Sequence, residues 1–145
     1  MHPKKILLVD DNPSDRELAL DALRQYNLAN EVVSLRDGAE ALDYLYRSGE
    51  FAGRTDADPA VILLDLKMPK VDGLEVLRKI KSDPALKVIP IVMMTSSREE
   101  QDLVRSYQLG VNAYVVKPVS FHEFIEAIRV LGAFWALLNE APPTD

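Results

Sequence analysis

The sequence predicts an α/β domain with a doubly wound parallel sheet, and two observations support this prediction. Four short apolar runs rich in β-branched residues alternate with segments whose apolar residues recur at helical spacing. Near-continuous apolar runs of this length are typical of strands covered on both faces of a parallel sheet. The runs are residues 6–9, 61–64, 89–94 and 113–116. Their alternation with helical segments predicts the α/β class.

The first half of the chain contains two helical segments and a weaker strand. Asn12-Pro13 places a proline in a first helical turn, and helical spacing continues through residues 18–26. A weaker outer strand is predicted at 31–35 and a second helix at 38–47. Residues 48–59 are polar and contain two glycines, so they predict a long loop.

The second half contains three helices with recognisable ends. The third helix runs through residues 74–80 and is expected to end at Ser82-Asp83-Pro84. Pro90 is compatible with a strand only at the strand's beginning. Ser97 and Ser120 each precede a glutamate by three residues, a pattern typical of a capping box at a helix start. The last helix is expected to continue to Trp135.

The composition indicates one globular domain and disfavours certain classes of binding partner. The chain has 145 residues, of which 48% are hydrophobic and 28% charged, and it shows no internal repeat. A net charge of −6 disfavours binding to nucleic acid or to an anionic membrane. The absence of cysteine excludes disulfides and thiolate chemistry, and it suits a reducing compartment. No export signal or membrane span is recognisable, so we expect a cytoplasmic protein.

Each of the four apolar runs ends in a polar residue that a core does not need. These residues are Asp10-Asp11, Asp65, Thr95-Ser96 and Lys117. The carboxyl ends of parallel strands lie together, so we expect these side chains to converge. Three neighbouring carboxylates need a cation or a proton among them, and an all-oxygen set suits Mg²⁺ or Mn²⁺. With Lys117 to contact a phosphate, a carboxylate there could attack a phosphoryl group and form an acyl phosphate.

These residues in this order resemble a response-regulator receiver domain. The resemblance covers residues 4–131 and includes Asp65 in Leu-Leu-Asp-Leu-Lys-Met-Pro, Asp72-Gly73, and Lys117-Pro118. It implies a flavodoxin-like (βα)5 fold whose five parallel strands are ordered 2-1-3-4-5. It also implies a signalling protein that catalyses only its own phosphorylation and dephosphorylation, and is in that sense not an enzyme.

The resemblance implies a role for each residue of the metal and phosphorylation site. Asp65 is expected to be the phosphoacceptor and also a metal ligand. Asp11 is expected to bind Mg²⁺ directly and Asp10 partly through water, with the backbone carbonyl of Lys67 as the third protein oxygen. Mn²⁺ or Ca²⁺ are possible substitutes for Mg²⁺. Lys117 is expected to contact the phosphoryl group.

The same resemblance implies a conformational switch. Thr95 is expected to move toward the phosphoryl group, and Tyr114 to turn inward behind it. Ser96 is small, as the approach of a phosphate requires. The Lys117-Pro118 peptide bond is expected to be cis.

Two positions depart from chemotaxis-type receivers. Lys67 lies two residues after Asp65, and Ser97 lies two residues after Thr95. Side chains at these places line the path of the hydrolytic water. A lysine that shields the phosphoryl group, with no carboxylate at residue 97 to orient water, predicts a durable acyl phosphate.

A narrower resemblance points to stand-alone receivers associated with bacterial and cyanobacterial phytochromes. It rests on the loop before Val61, on residues 105–107 and on a C-terminal pattern formed by Phe134, Trp135, Asn139, Pro142 and Pro143. It implies that residues 132–145 form an arm that, with the last helix, makes a homodimer about a two-fold axis. In the alternative interpretation, Trp135 folds back onto its own helix.

The partner implied is a sensor histidine kinase, with a red-light photoreceptor as the leading hypothesis and another phosphorelay kinase as the alternative. Output would occur through protein contacts of residues 97–114 and the last helix.

A second class of function remains open, a Mg²⁺-dependent phosphohydrolase with an aspartyl nucleophile. Lys67, however, occupies the position where such an enzyme needs a second acid or base. A nucleotide-binding module is disfavoured because the chain lacks a Gly-rich phosphate loop.

Overall fold

The computed structural model describes residues 4–24, 30–68, 70–111 and 113–131. Within these ranges, five strands alternate with five helices. In chain order they are β1 (Lys4–Val9), α1 (Pro13–Arg24), β2 (Asn30–Leu35), α2 (Gly38–Tyr46), β3 (Val61–Asp65), α3 (Gly73–Ser82), β4 (Ile91–Thr95), α4 (Arg98–Ser106), β5 (Ala113–Val116) and α5 (Phe121–Leu131). A short 3-10 turn lies at Gly49–Phe51.

The strands form one parallel sheet in the order β2-β1-β3-β4-β5. The α/β class and the order 2-1-3-4-5 are therefore confirmed. Val9 pairs with Leu64, and Asp65 pairs with Met94. The polar residues at the carboxyl ends of β1, β3 and β4 therefore lie at one edge of the sheet. This edge is where ligands bind in doubly wound sheets.

Helices cover both faces of the sheet, because successive strand residues point to opposite sides. Leu7 and Ile62 face a core with α2, α3 and α4, whereas Ile6 and Leu63 face a second core with α1 and α5. Every residue of β3 and β4 is buried. Phe124 of α5 is a large, fully buried side chain of the second core. This burial on both faces explains the unbroken apolar runs.

Several element ends agree with the sequence patterns, and others shift by one or two residues. The α3 helix ends at Ser82 as expected, while β4 begins at Ile91, after Pro90 and not at residue 89. The α2 helix ends at Tyr46 because Arg47 adopts a left-handed conformation with φ 53°.

The predicted dimer arm, Phe134, Trp135, Asn139, Pro142 and Pro143, lies outside the described residues. No helix in the described ranges is long and apolar enough to cross a membrane.

The predicted loop at 48–59 is held in place by Arg54, whose side chain is only 6% exposed. Its guanidinium lies 4.2 Å from the centroid of the Tyr44 ring and donates a hydrogen bond to the Tyr44 carbonyl at 2.9 Å. It also pairs with Asp56 and Asp58, each at 3.2 Å. Gly53, beside it, is exposed and has no heavy atom within 4 Å of the position of an added Cβ. One buried cation thus anchors the loop to α2.

Candidate functional site

The predicted convergence of polar residues is observed at the carboxyl edge of the sheet. Asp10 follows β1, Asp65 and Thr95 end β3 and β4, and Lys117 follows β5. Asp10, Asp65 and Thr95 are the buried polar residues of the described part of the chain, with 0%, 4% and 1% exposure. Burying three polar side chains together is costly unless they are paired, so this edge is a candidate functional site whose partners need to be identified.

Lys117 is the centre of the charge cluster. Its Nζ lies 3.0 Å from Asp10 Oδ2, 3.1 Å from Asp65 Oδ1 and 3.2 Å from Asp15 Oδ2. The peptide bond that links Lys117 to Pro118 is cis. The Lys117 N–H donates to the Thr95 carbonyl at 2.9 Å, which ties the residue to the end of β4. One ammonium therefore faces three carboxylates.

The turn between β1 and α1 orients Asp10. Its backbone N–H donates to the Leu35 carbonyl at 3.1 Å, and its Oδ1 accepts from the Asn12 N–H at 3.0 Å. Arg16 Nη1 donates to the Asp10 carbonyl at 2.8 Å. The other carboxylate oxygen, Oδ2, is buried, and its 3.0 Å contact with Lys117 is an ion pair without hydrogen-bond geometry. This oxygen keeps a lone pair for a ligand.

Asp10, Asp11 and Asp65 each offer a carboxylate oxygen, and these oxygens lie within 4.8 Å of one another. Asp11 is exposed, whereas the other two are buried. Three clustered carboxylates at a partly open edge suit a hard divalent cation that keeps several waters. Asp10 Oδ2 is buried and accepts no hydrogen bond, which agrees with a metal ligand at this position. The residues present therefore fit Mg²⁺ or Mn²⁺.

Burial and crowding change the charge states at the site. Burial, together with the Asp10 carboxylate, raises the pKa of Asp65 to about 7, although the Lys117 ammonium acts in the opposite direction. Burial alone would lower the pKa of Lys117, but Asp65 and Asp10 outweigh it and raise that pKa above its ordinary value. Without a second cation, the cluster thus holds more negative charge than one lysine can balance.

Close backbone packing fixes the position of Asp65. The Gly73 N–H, at the start of α3, donates to the Leu66 carbonyl at 2.8 Å. A Cβ at residue 73 would lie 2.2 Å from the Asp65 carbonyl oxygen. Asp72 caps α3 by accepting from the Glu75 N–H at 2.9 Å. The Asp72-Gly73 pair thus forms a structural turn that holds α3 against the end of β3.

The start of α4 contacts both the end of β4 and the loop after β3. Gln101 Nε2 donates to Thr95 Oγ1 at 3.4 Å. Glu100 Oε1 accepts from the Ser96 N–H at 2.7 Å, while Glu100 Oε2 lies 3.1 Å from Lys67 Nζ. Burial would raise the pKa of Glu100, but the Ser96 N–H and the Lys67 ammonium hold it below its ordinary value.

Tyr114 lies half-buried on β5 and packs against the α2–α3–α4 side of the sheet. Its hydroxyl donates to the Val111 carbonyl at 3.2 Å, and the Arg105 guanidinium lies 4.4 Å from its ring centroid. Burial raises the pKa of the phenol, although Arg105 opposes this shift. The Tyr114 side chain is therefore held by its hydrogen bond to Val111 and by its contact with Arg105.

Two participants, Asp15 and Glu100, lie outside the set of site residues that the sequence pattern predicts. Asp15 lies in the first turn of α1, where an acid is explained by the helix dipole alone. The sequence pattern indicates Glu100 only as the glutamate of a capping box that begins at Ser97. Ser97 does cap α4, at 3.3 Å from the Glu100 N–H, but the Glu100 carboxylate binds the Ser96 N–H instead of completing the box. No local pattern distinguishes these contacts.

Comparison with known proteins identifies the family. Residues 6–129 match the response regulator receiver domain. The bacteriophytochrome response regulators AtBRR and RtBRR have similar solved structures. AtBRR is 64% identical over 97% of this chain and 100% of its own, with a TM-score of 0.91. RtBRR is 60% identical over 98% of this chain and 85% of its own, with a TM-score of 0.89.

A third relative is the response regulator Rcp1 of Synechocystis sp., which is 40% identical over 133 residues, covering 92% of this chain and 89% of that protein. Rcp1 has a solved structure in an Mn²⁺-bound form, which this chain matches with a TM-score of 0.74 at 39% identity over 98% of this chain and 100% of the other. The chain belongs to the response regulator receiver domain family and is related to the bacteriophytochrome response regulators.

Proposed function

We propose that Asp65 accepts a phosphoryl group from the phosphohistidine of a sensor histidine kinase and that the resulting acyl phosphate switches protein contacts. The observation that carries this proposal is the Lys117 ammonium, 3.1 Å from Asp65 inside a buried cluster of carboxylates. Such a cluster is costly for stability, and its parts suit phosphoryl transfer.

In the proposed reaction, a carboxylate oxygen of Asp65 attacks phosphorus as the P–N bond to the kinase histidine breaks. The bond electrons leave with the imidazole, and the phosphoryl group stays on Asp65 as an acyl phosphate. Lys117 is placed to neutralise a phosphoryl oxygen, and Asp10 holds Lys117 in place. Asp10, Asp11, Asp65 and the Lys67 carbonyl would hold Mg²⁺, with Mn²⁺ or Ca²⁺ as substitutes. When bound, that ion would supply charge neutralisation for the transferring group.

The switch that we propose starts at Thr95. Its hydroxyl, held by Gln101 in this state, would leave that partner to donate to the phosphoryl group. Tyr114 would then leave Val111 and turn inward, while the small side chain of Ser96 leaves room for the phosphate. The consequence would be a changed surface at residues 97–114 and α5, where a target protein could bind.

The relationship to AtBRR and RtBRR supports a bacteriophytochrome as the kinase. We also place the protein in the cytoplasm, because the absence of cysteine suits a reducing compartment.

We also propose that residues 4–131 form the receiver and that residues 132–145 form a dimerisation arm. In that proposal, Phe134, Trp135, Asn139, Pro142 and Pro143 contact a second copy. Sedimentation of the full chain against a chain ending at Gly132 tests the arm, and a monomer in both cases would refute it.

Phosphorylation is tested with a small acyl-phosphate donor and Mg²⁺. We expect a single covalent phosphate by mass spectrometry in the wild type and none in Asp65→Asn. Asp21→Asn is the matched control, because Asp21 is an exposed aspartate on α1 away from the cluster, and it should accept phosphate normally. Phosphate on Asp65→Asn would refute the assignment. Multiple turnover of a phosphomonoester would instead favour a hydrolase.

A further inference from the structure

The carboxylate of Glu100 holds together two loops at the rim of the site. It accepts from the Ser96 N–H at 2.7 Å in the loop between β4 and α4, and it pairs with Lys67 at 3.1 Å in the loop between β3 and α3. The Glu100 side chain is 13% exposed, whereas the Lys67 side chain is 76% exposed. The acid is therefore largely buried, whereas most of the lysine side chain is in contact with solvent.

The position of Lys67 makes this ion pair relevant to Asp65. Lys67 follows Asp65, the last residue of β3, by only two residues. Its long, exposed side chain can reorient about the loop, and Glu100 is its ion-pair partner among the described residues. The acyl phosphate carries about two negative charges at a position where the Asp65 carboxylate carried at most one. Once it is attached, the acyl phosphate and Glu100 compete for the same ammonium.

From this arrangement, and resting on the phosphorylation of Asp65 proposed above, we propose that Glu100 is a positioning residue that withholds Lys67 from the acyl phosphate and thereby sets its lifetime. With Glu100 ionised, Lys67 divides its time between the α4 carboxylate and the phosphoryl group. When Lys67 covers the phosphoryl group, it excludes the attacking water. The stronger the Lys67–Glu100 pair, the faster the phosphate is lost.

Glu100→Gln isolates this contact. The Gln amide oxygen can still accept from the Ser96 N–H, so the rim keeps that hydrogen bond while the charge that holds Lys67 is lost. We expect the half-life of the acyl phosphate, measured after removal of the donor, to lengthen by about threefold, the scale of a partly exposed ion pair. The effect should shrink at high salt because such pairs are screened.

Glu99→Gln is the matched control. Glu99 lies in the same first turn of α4 and loses the same charge, but it is exposed and has no ion pair within the described residues. We expect it to leave the half-life unchanged. If Glu99→Gln lengthens the half-life as much as Glu100→Gln, the effect is one of general charge and the proposal is wrong.

A double-mutant cycle with Lys67→Asn separates positioning from a change in α4. If Glu100 acts through Lys67, Glu100→Gln should have no effect on the half-life in the Lys67→Asn background. An undiminished effect there would overturn the proposal. The parent proposal fails separately: if the wild type takes up no phosphate at Asp65, phosphorylation is refuted. If it does and Glu100→Gln decays like the wild type, only the role of Glu100 is refuted.

Discussion

Replacing Asp65 by Asn in the metal-free protein removes a buried negative charge beside Asp10 with little change of shape. The pKa of Asp65 rises from 3.8 to about 7 on folding. At about 1.4 kcal/mol per pH unit, this rise corresponds to about 4 kcal/mol of destabilisation when the carboxylate is ionised. Because side chains and water relax around a buried charge, we expect Asp65→Asn to increase the free energy of unfolding by about 2 kcal/mol at pH 8.

The pH dependence follows from the direction of the pKa change. An acid whose pKa is raised by folding destabilises the folded state wherever the unfolded chain ionises first. The difference between Asp65→Asn and the wild type should therefore be small at pH 4, grow between pH 4 and 7, and stay constant above pH 7. Urea unfolding at pH 4, 6 and 8 in EDTA measures this difference.

Two additional measurements make this experiment specific. Asp11→Asn removes a charge at an exposed position, so we expect it to change the free energy of unfolding by less than about 0.5 kcal/mol. Added Mg²⁺ should stabilise the wild type more than Asp65→Asn, because binding to the folded state adds to its stability. If Asp65→Asn is no more stable than the wild type at pH 8 in EDTA, the electrostatic reasoning is refuted.

Two other substitutions test backbone packing and a charge pair away from the site. Gly73→Ala puts a methyl group 2.2 Å from the Asp65 carbonyl oxygen, so we expect a loss of about 2 kcal/mol in urea unfolding; unchanged stability would mean that α3 can shift away at no cost. Asp56→Asn should cost about 1 kcal/mol at pH 7, because Lys5 holds the pKa of Asp56 below 3.8. That cost should shrink as the pH falls below 3.8 and the wild-type carboxylate gains a proton, and a pH-independent difference would contradict the ion pair.

The parts of the structure that follow from local pattern were predictable. The buried strands show as continuous apolar runs because both of their faces are covered, and the parallel order brings Asp10, Asp65 and Lys117 to one edge. The capping serines Ser97 and Ser120 mark two helix starts, since each side chain accepts from a backbone N–H three residues later. Local chemistry and global fold agree at these positions.

The contacts that the sequence did not predict join polar residues far apart in the chain. Asp15 meets Lys117 across 102 residues, and both residue types are common on surfaces. Glu100 of α4 meets Lys67 of the loop after β3, and Arg54 is buried on Tyr44 although arginine is mostly an exposed residue. Neither periodicity nor turn chemistry encodes such pairs, because they depend on how elements are stacked in space.

The anchoring of the loop by Arg54 has a practical use. The fixed backbone around Gly53 points an exposed position outward with free space around it, and the chain has no cysteine of its own. A Gly53→Cys variant would thus carry a single thiol, at a place where a fluorescent dye displaces no packed side chain. Anisotropy of that dye during dilution would report self-association directly, before and after phosphoryl uptake, on one labelled sample.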